Sequence, residues 1–200
     1  MNIGATSETD YGLYFQWGDT QGYTASQVGS GEGQKAFAWA DYKWSYNGGR
    51  SWSETGEMTK YNNNDQLTRL SFEDDAARVN WGGSWRMPTT EELQALENAA
   101  NAVWTTNYNG SGVNGILYTD KTDSSKTLFF PAGGFAGDES MWDINYKGSV
   151  YSSSTKYDDT TGDVTMACYL EFASDYIHYD VHSYRYSGST VRGVLDVSEE

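Results

Sequence analysis

The two histidines of the chain, His178 and His182, both lie in residues 173–187, where eleven of fifteen residues are Tyr, Ser, Asp or His. With Asp180 between them, the imidazoles could in principle ligate a metal ion such as zinc. Residues i and i+4 of a strand are, however, ~13 Å apart at ~3.3 Å per residue. A shared ion would need a sharp bend of the chain, so we predict no metal site here.

Catalysis by this window is also disfavoured. A Ser-His-Asp triad can be composed from its residue types, but a nucleophile must stand beside its base. The sequence has no Gly-x-Ser-x-Gly elbow, no phosphate-binding loop and no Gly-x-Gly-x-x-Gly run followed by a helical pattern. We therefore predict that the protein is not an enzyme and uses no cofactor, with a hydrolase as the alternative from another class.

Binding is the function that the window favours. In a strand, Ile177, Tyr179 and Val181 would point inward and the residues between them outward. The outward set comprises Tyr176, His178, Asp180 and His182, extended by Tyr184 and Tyr186 if the pattern continues past a turn expected at Ser183. Tyrosine offers large contact area, a hydroxyl and few rotamers, which suits recognition. Tyrosine is also simply a good strand former, so an ordinary sheet is the competing interpretation.

Composition limits the partners. The net charge of −15 argues against nucleic acid and anionic membranes, because phosphate binding needs a basic surface. No apolar run approaches the ~18 residues of a membrane helix, and no signal-like segment opens the chain. Calcium could use an acidic loop at Tyr157, Asp158 and Asp159, but the spacing of an EF-hand is absent. No heptad pattern demands oligomers, and homo-oligomerisation stays open.

The elements that would position the window indicate one α+β domain over residues 1–200. The 22 glycines, 2 prolines and 16% aromatic content indicate short strands and turns. Helices are predicted at residues 70–79 and 89–102, the second with a capping box of Thr89 and Glu92 and an apolar face. Strands are predicted at residues 128–131, 169–172, 176–181 and 190–195, with loops at 20–33, 47–49 and 62–65. The lone Cys168, in an apolar stretch, is expected to be buried.

Several segments together resemble a known family. They are YGLYFQWGDT (residues 11–20), WGGSWRMPT (residues 81–89), LFFPAGG (residues 128–134), and further matches at residues 2–5, 74–80, 113–115, 151–154, 169–172 and 189–192. This sequence is similar, over nearly its whole length, to C-type-lectin-fold domains of gut Bacteroidetes and their phages, akin to the Fibrobacter succinogenes major paralogous domain. The resemblance implies a C-type lectin-like fold with two helices, a mostly antiparallel sheet and long loops.

Some members of that family are variable proteins of diversity-generating retroelements, in which adenine mutagenesis scatters Tyr, Ser, Asp, His and Asn over fixed C-terminal positions. The resemblance implies a receptor-recognition domain on a phage tail that binds a bacterial cell-surface protein or glycan. A bacterial cell-surface adhesin or lipoprotein domain is the alternative; the expected location is the virion tail, the extracellular space or the cell surface. The implied ligand-facing residues are Tyr151, Asp175, Tyr176, His178, Asp180, His182, Tyr184 and Tyr186, Tyr151 standing where the family usually has Trp.

Departures from the family's relatives exclude two functions. Calcium-dependent sugar-binding lectins use Glu-Pro-Asn or Gln-Pro-Asp loops, and the only prolines here are Pro88 and Pro131. The formylglycine-generating enzymes need a cysteine pair for copper, and Cys168 is alone. What remains is a scaffold whose core is predicted to contain Trp17, Trp81, Trp85 and Phe130.

Overall fold

The structure is a computed structural model and describes residues 1–45, 58–158 and 163–196. The turn expected at residues 47–49 lies outside these ranges, as does Asp159 of the acidic loop considered for calcium. Among the described residues, no helix is long and apolar enough to cross a membrane.

Two α-helices form near the predicted places, and both begin at a side-chain cap. In α1 (Ala76–Trp81) the Asp75 carboxylate accepts hydrogen bonds from the first-turn amides. The helix therefore begins and ends later than the predicted span of 70–79. Phe72–Asp74 is a 3-10 turn, whereas Trp81 belongs to the helix. The helix ends at Gly82, which has a φ of 70°. Gly82 ends the helix because this φ is unfavourable for other residues.

Helix α2 (Thr90–Ala99) confirms the capping box, since Thr89 accepts from the Glu92 amide and Glu92 accepts from the Thr89 amide. Its predicted end at residue 102 was wrong. Ala100 instead opens a strand whose backbone pairs with residues 115–120. Pairing with a neighbouring strand, a tertiary interaction, overrides the helical spacing of the alanines.

The strands, in chain order, are β1 Tyr14–Phe15, β2 Trp85–Arg86, β3 Ala100–Thr105, β4 Gly115–Asp120, β5 Thr127–Pro131, β6 Phe135–Gly137, β7 Ser140–Trp142, β8 Lys147–Asp158, β9 Asp163–Ala173, β10 Ile177–Tyr184, β11 Ser189–Thr190 and β12 Val194–Leu195. The largest sheet has the order β1-β11-β8-β9-β10 and is antiparallel except between β11 and β8. The other sheets are β3-β4-β5, β2-β12 and β6-β7, all antiparallel. The molecule is an α+β protein, as predicted. The strand predicted at residues 190–195 is two short strands instead.

The centre of the five-stranded sheet is buried on both faces. Val150 and Tyr151 are neighbours on β8, yet they belong to different apolar clusters because successive side chains of a strand alternate. We call the cluster on the Tyr151 face the aromatic core; its rings are those of Trp17, Tyr42, Trp44, Tyr61, Phe15 and Tyr151. The opposite face packs on α2 and on the β3-β4-β5 sheet through residues such as Leu93 and Phe130.

The predicted core residues divide between these clusters and the surface. Trp17 and Phe130 are buried, as predicted, and Cys168 is buried as well. Trp81 was wrongly placed in the core: it is 37% exposed, and its ring meets the half-buried Trp85 edge to face at 4.9 Å.

Candidate ligand-binding surface

Strand β10 carries most of the predicted site, and its register contains a β-bulge. Ile177 lies opposite Phe172 and His178 opposite Glu171, but Val181 lies opposite Tyr169. Tyr179 and Asp180 of β10 thus lie opposite the single residue Leu170 of β9, which leaves one extra residue in β10. Strand β10 also continues through Ser183 to Tyr184, so the turn expected at Ser183 was wrong.

The predicted exposure of β10 is confirmed, but the predicted single face is not. His178, Asp180 and His182 are exposed, whereas Tyr179 is buried. His182 lies opposite Cys168, the neighbour of Tyr169 on β9, so it occupies the face opposite to that of His178. The bulge switches the faces within the strand, which no alternation pattern reveals. The described residues contain no group of three or more His, Cys, Asp or Glu placed to hold a metal ion.

At one end of β10 the side chains form a polar aromatic group. The rings of Tyr176 and His178 stack with centroids 4.8 Å apart. Beside them, Lys147 Nζ lies 3.3 Å from Glu171 Oε1. Burial opposes the charge of Lys147, but the Tyr176 hydroxyl and Glu171 outweigh it and raise the pKa of the ammonium. Burial raises the pKa of the Tyr176 phenol, with Glu171 acting in the same direction. At neutral pH the group therefore presents the ammonium of Lys147 and the neutral phenol of Tyr176.

At the other end of β10 the group is purely aromatic. Tyr184 and Tyr186 stack with centroids 5.5 Å apart, and Trp39 meets Tyr186 edge to face at 4.9 Å. All three side chains are half-buried. Burial raises the pKa of Tyr186, and the nearby Asp138 adds to the rise. These rings are therefore partly accessible to a partner while they contact one another.

Tyr169 and Tyr151 connect the two ends. Tyr169 is half-buried; burial raises its pKa, and Glu171 and Tyr176 contribute to the rise. Its ring contacts that of Tyr151 at 6.4 Å. Tyr151 is only 1% exposed and donates a 2.6 Å hydrogen bond to the Ser187 carbonyl. The expectation that Tyr151 faces a ligand was therefore wrong, because its position on β8 turns it into the aromatic core.

The resulting candidate site is a set of half-buried and exposed rings, three of which (Trp39, Tyr169 and Tyr186) pack against the aromatic core. We call it the aromatic surface: Trp39, Tyr169, Tyr176, His178, Tyr184 and Tyr186. Asp175 is exposed beside it, next to Tyr176. Asp180 lies in the bulge, and His182 lies on the strand face opposite to that of His178. Tyr184, opposite Met166, shares the face of His182 and joins the aromatic surface through its ring contacts with Trp39 and Tyr186.

Sequence reasoning missed Trp39, Tyr169, Lys147 and Glu171. Trp39 comes from a 3-10 turn far from the window in sequence, and only the folded chain brings it to Tyr186. Tyr169 and Glu171 carried an available signal, since they alternate with the buried Leu170 and Phe172 on a predicted strand. Lys147 lay in a segment to which no element was assigned.

The same geometry bears on catalysis. Within the described ranges, neither histidine forms a hydrogen bond with a serine hydroxyl or with the buried Cys168 thiol. The stacked rings and the Lys147–Glu171 pair offer apolar and charged contacts to a partner. No family model, no curated protein and no solved structure matches this chain.

Proposed function

We propose that the protein is a ligand-binding domain that recognises a bacterial cell-surface protein or glycan through its aromatic surface. The observation that carries the proposal is the grouping of partly accessible Tyr, His and Trp rings at the two ends of β10, where Trp39, Tyr169 and Tyr186 pack against the buried aromatic core. Rigid aromatic side chains contribute contact area with little loss of conformational entropy on binding. Lys147 and Glu171 add one donor group and one acceptor group for orienting a partner.

A C-type lectin-like fold is part of the proposal. It is supported by the sequence segments that resemble that family and is consistent with the two helices, the mostly antiparallel strands and the long connections. The retroelement relationship is supported by the position and composition of residues 173–187. On this basis the domain would mediate attachment of a phage tail to its host. An adhesin or lipoprotein domain of a bacterium would use the same surface, and neighbouring genes separate the two settings.

Diversification of the surface is tested by sequencing this locus across a population. We expect adenine-templated substitutions at Tyr176, His178, Tyr184 and Tyr186, with Tyr151 constant. Tyr151 is the sharpest internal control, because it lies within the resemblance but is buried. An invariant window would contradict diversification and leave an adhesin of fixed specificity. Substitutions at Tyr151 as frequent as at His178 would contradict the assignment of the surface.

Recognition itself is tested by binding of the labelled protein to a panel of intact Bacteroidetes cells and to a glycan array. The double variant Tyr176→Ser with His178→Ser should lose at least tenfold in apparent affinity for any positive cell or glycan. A loss of about 1.4 kcal/mol corresponds to this factor. The matched control is His182→Ser, an exposed residue of the same strand on the opposite face, which should bind normally. Equal losses from the two variants would refute the proposed surface.

A further inference from the structure

A second concave region lies on the other side of the five-stranded sheet. It is a groove of about 290 Å³ whose apolar walls come mainly from Trp81, Trp85, Leu93, Leu96, Leu128 and Val194. Leu93 packs with Leu170 and Phe172, whose side chains point away from the face that carries Tyr169 and Glu171. The groove is therefore separate from the aromatic surface. Its volume falls at the small end of the range for small-molecule sites.

The groove is shaped by a close approach of the chain to an indole. A Cβ placed on Gly193 would lie 2.5 Å from the Trp81 ring, so a larger residue there would displace the tryptophan. The Trp81 ring stands nearly perpendicular to Trp85 and is 37% exposed. An exposed, apolar cleft of this kind favours an occupant that brings its own apolar body.

One charged residue of the groove lacks an opposite charge. Arg192 Nη1 donates a 2.9 Å hydrogen bond to the Phe129 carbonyl, and its guanidinium lies 4.6 Å from the centre of the Phe130 ring. Among the described residues, no carboxylate comes within 4.0 Å of Arg192. Glu92 also lines the groove, but both of its oxygens accept from Arg86 at 2.7 Å.

The guanidinium is nevertheless charged at neutral pH. Burial lowers the pKa of Arg192 to about 10, and Glu8 opposes this only in part. A half-buried cation with no carboxylate within 4.0 Å has lost hydration that its carbonyl and ring contacts only partly replace. An anion delivered into the groove would recover that interaction, with Arg192 able to bind it through its remaining N–H groups.

We propose that this groove binds a small amphiphilic carboxylate, with the apolar body between Trp81, Trp85 and Leu96 and the carboxylate on Arg192. Charge complementarity selects the anionic end, because no carboxylate of the described residues lies within 4.0 Å of the Arg192 guanidinium. The apolar walls select the body. This site is independent of the aromatic surface and of whatever that surface recognises.

The test uses octanoate and its neutral isostere octanamide as probes, titrated calorimetrically into the unaltered protein. Octanoate should bind at least tenfold more tightly than octanamide, and hexanoate about tenfold more weakly than octanoate, because each buried methylene contributes roughly 0.8 kcal/mol. The indole N–H resonances of Trp81 and Trp85 should shift on binding. Equal affinities for acid and amide, or no saturable binding of either acid, would overturn the proposal.

Two substitutions locate the effect. Arg192→Gln should remove the preference for acid over amide, while Arg69→Gln, the same charge change at an exposed arginine outside the groove, should preserve it. Trp81→Ala should weaken acid and amide equally, by about tenfold. A preference that survives Arg192→Gln would refute the proposed contact. If Arg192→Gln fails to fold, Trp81→Ala and the acid–amide comparison on the unaltered protein still decide between the outcomes.

Discussion

The aromatic core and the aromatic surface are built from the same residue types but differ in what their polar atoms bind. In the core, each of three rings donates to a main-chain carbonyl. Trp17 Nε1 bonds Ser152 O at 3.0 Å, the Tyr42 hydroxyl bonds Trp17 O at 3.0 Å, and the Tyr151 hydroxyl bonds Ser187 O at 2.6 Å. These rings therefore hold segments of the chain together that are distant in sequence.

Rings contact one another in both regions, but on the aromatic surface the contacts described are with neighbouring side chains, and the Tyr176 hydroxyl interacts with Lys147. Tyr176 stacks on His178, and Tyr184 stacks on Tyr186. A side chain at a core position must fill a fixed volume and place a hydrogen-bond donor at a fixed point. A side chain at a surface position mainly has to lie against its neighbour. The difference teaches that the scaffold constrains the identity of Tyr151 far more than that of His178. The proposed diversification of the surface would require this separation.

The largest effect should come from removing a core ring. Trp17→Ala removes a fully buried indole and leaves the Ser152 carbonyl without its donor. We expect a loss of roughly 3–5 kcal/mol in the free energy of unfolding, measured by chemical denaturation. Trp142→Ala is the matched control, since Trp142 is 52% exposed and its loss should cost less than about 1 kcal/mol. Similar losses of unfolding free energy in Trp17→Ala and Trp142→Ala would contradict the distinction between core and surface rings.

A second effect should come from the charged rim of the core. Asp74 accepts from the Tyr61 hydroxyl at 2.8 Å and pairs with Lys60 at 2.6 Å and Lys43 at 3.0 Å. Asp74→Asn should cost about 2–3 kcal/mol at pH 7, because hydrogen bonds to a charged group are lost. Asn64→Asp, which adds rather than removes an acid at an exposed position, serves as the control and should change stability little.

The same residue predicts a pH dependence. Burial raises the pKa of Asp74, but Lys60, Tyr61 and Lys43 outweigh it, so the net pKa lies below its ordinary value. Its contribution is present above about pH 4, where the unfolded carboxyl is ionised, and is lost as the pH falls through the folded pKa. Burial raises the pKa of Asp75, the opposite direction. Asp75 is present in both the wild type and the Asp74→Asn variant, so its titration cancels in the difference between them. The stability difference between wild type and Asp74→Asn should therefore shrink below pH 4; a constant difference would contradict this role.

A smaller effect should follow from removing a single hydroxyl in the core. Tyr151→Phe keeps the ring but leaves the Ser187 carbonyl without its donor. We expect a cost of about 1–2 kcal/mol in unfolding free energy. Tyr186→Phe, a hydroxyl removed from a half-buried ring of the surface, is the comparison and should cost less. If Tyr186→Phe lowered the unfolding free energy more than Tyr151→Phe, hydrogen bonds to main-chain carbonyls would not be what fixes the identity of the core rings.

Features of the fold and of the site that depend on adjacent residues could be predicted from the sequence, whereas features that depend on contacts between distant segments could not. The capping box at Thr89, the buried strand at residues 128–131 and the burial of Cys168 follow from adjacent residues and are confirmed. The bulge in β10 depends on the register against β9, and the placement of Trp39 depends on folding across the whole chain. The burial of Tyr151 depends on which face of β8 meets the core, since both faces are covered.

The smallest effect on stability should come from the aromatic surface itself, and this is the most direct test of the comparison. Tyr176→Ser with His178→Ser removes two stacked rings whose contacts are with each other and with the Lys147–Glu171 pair. No core ring loses its main-chain partner, so unfolding free energy should change by no more than about 1 kcal/mol. Denaturation of this variant beside His182→Ser, which lies on the other face, measures it. A loss as large as that of Trp17→Ala would show that these rings are structural, and the surface could then not be free to vary.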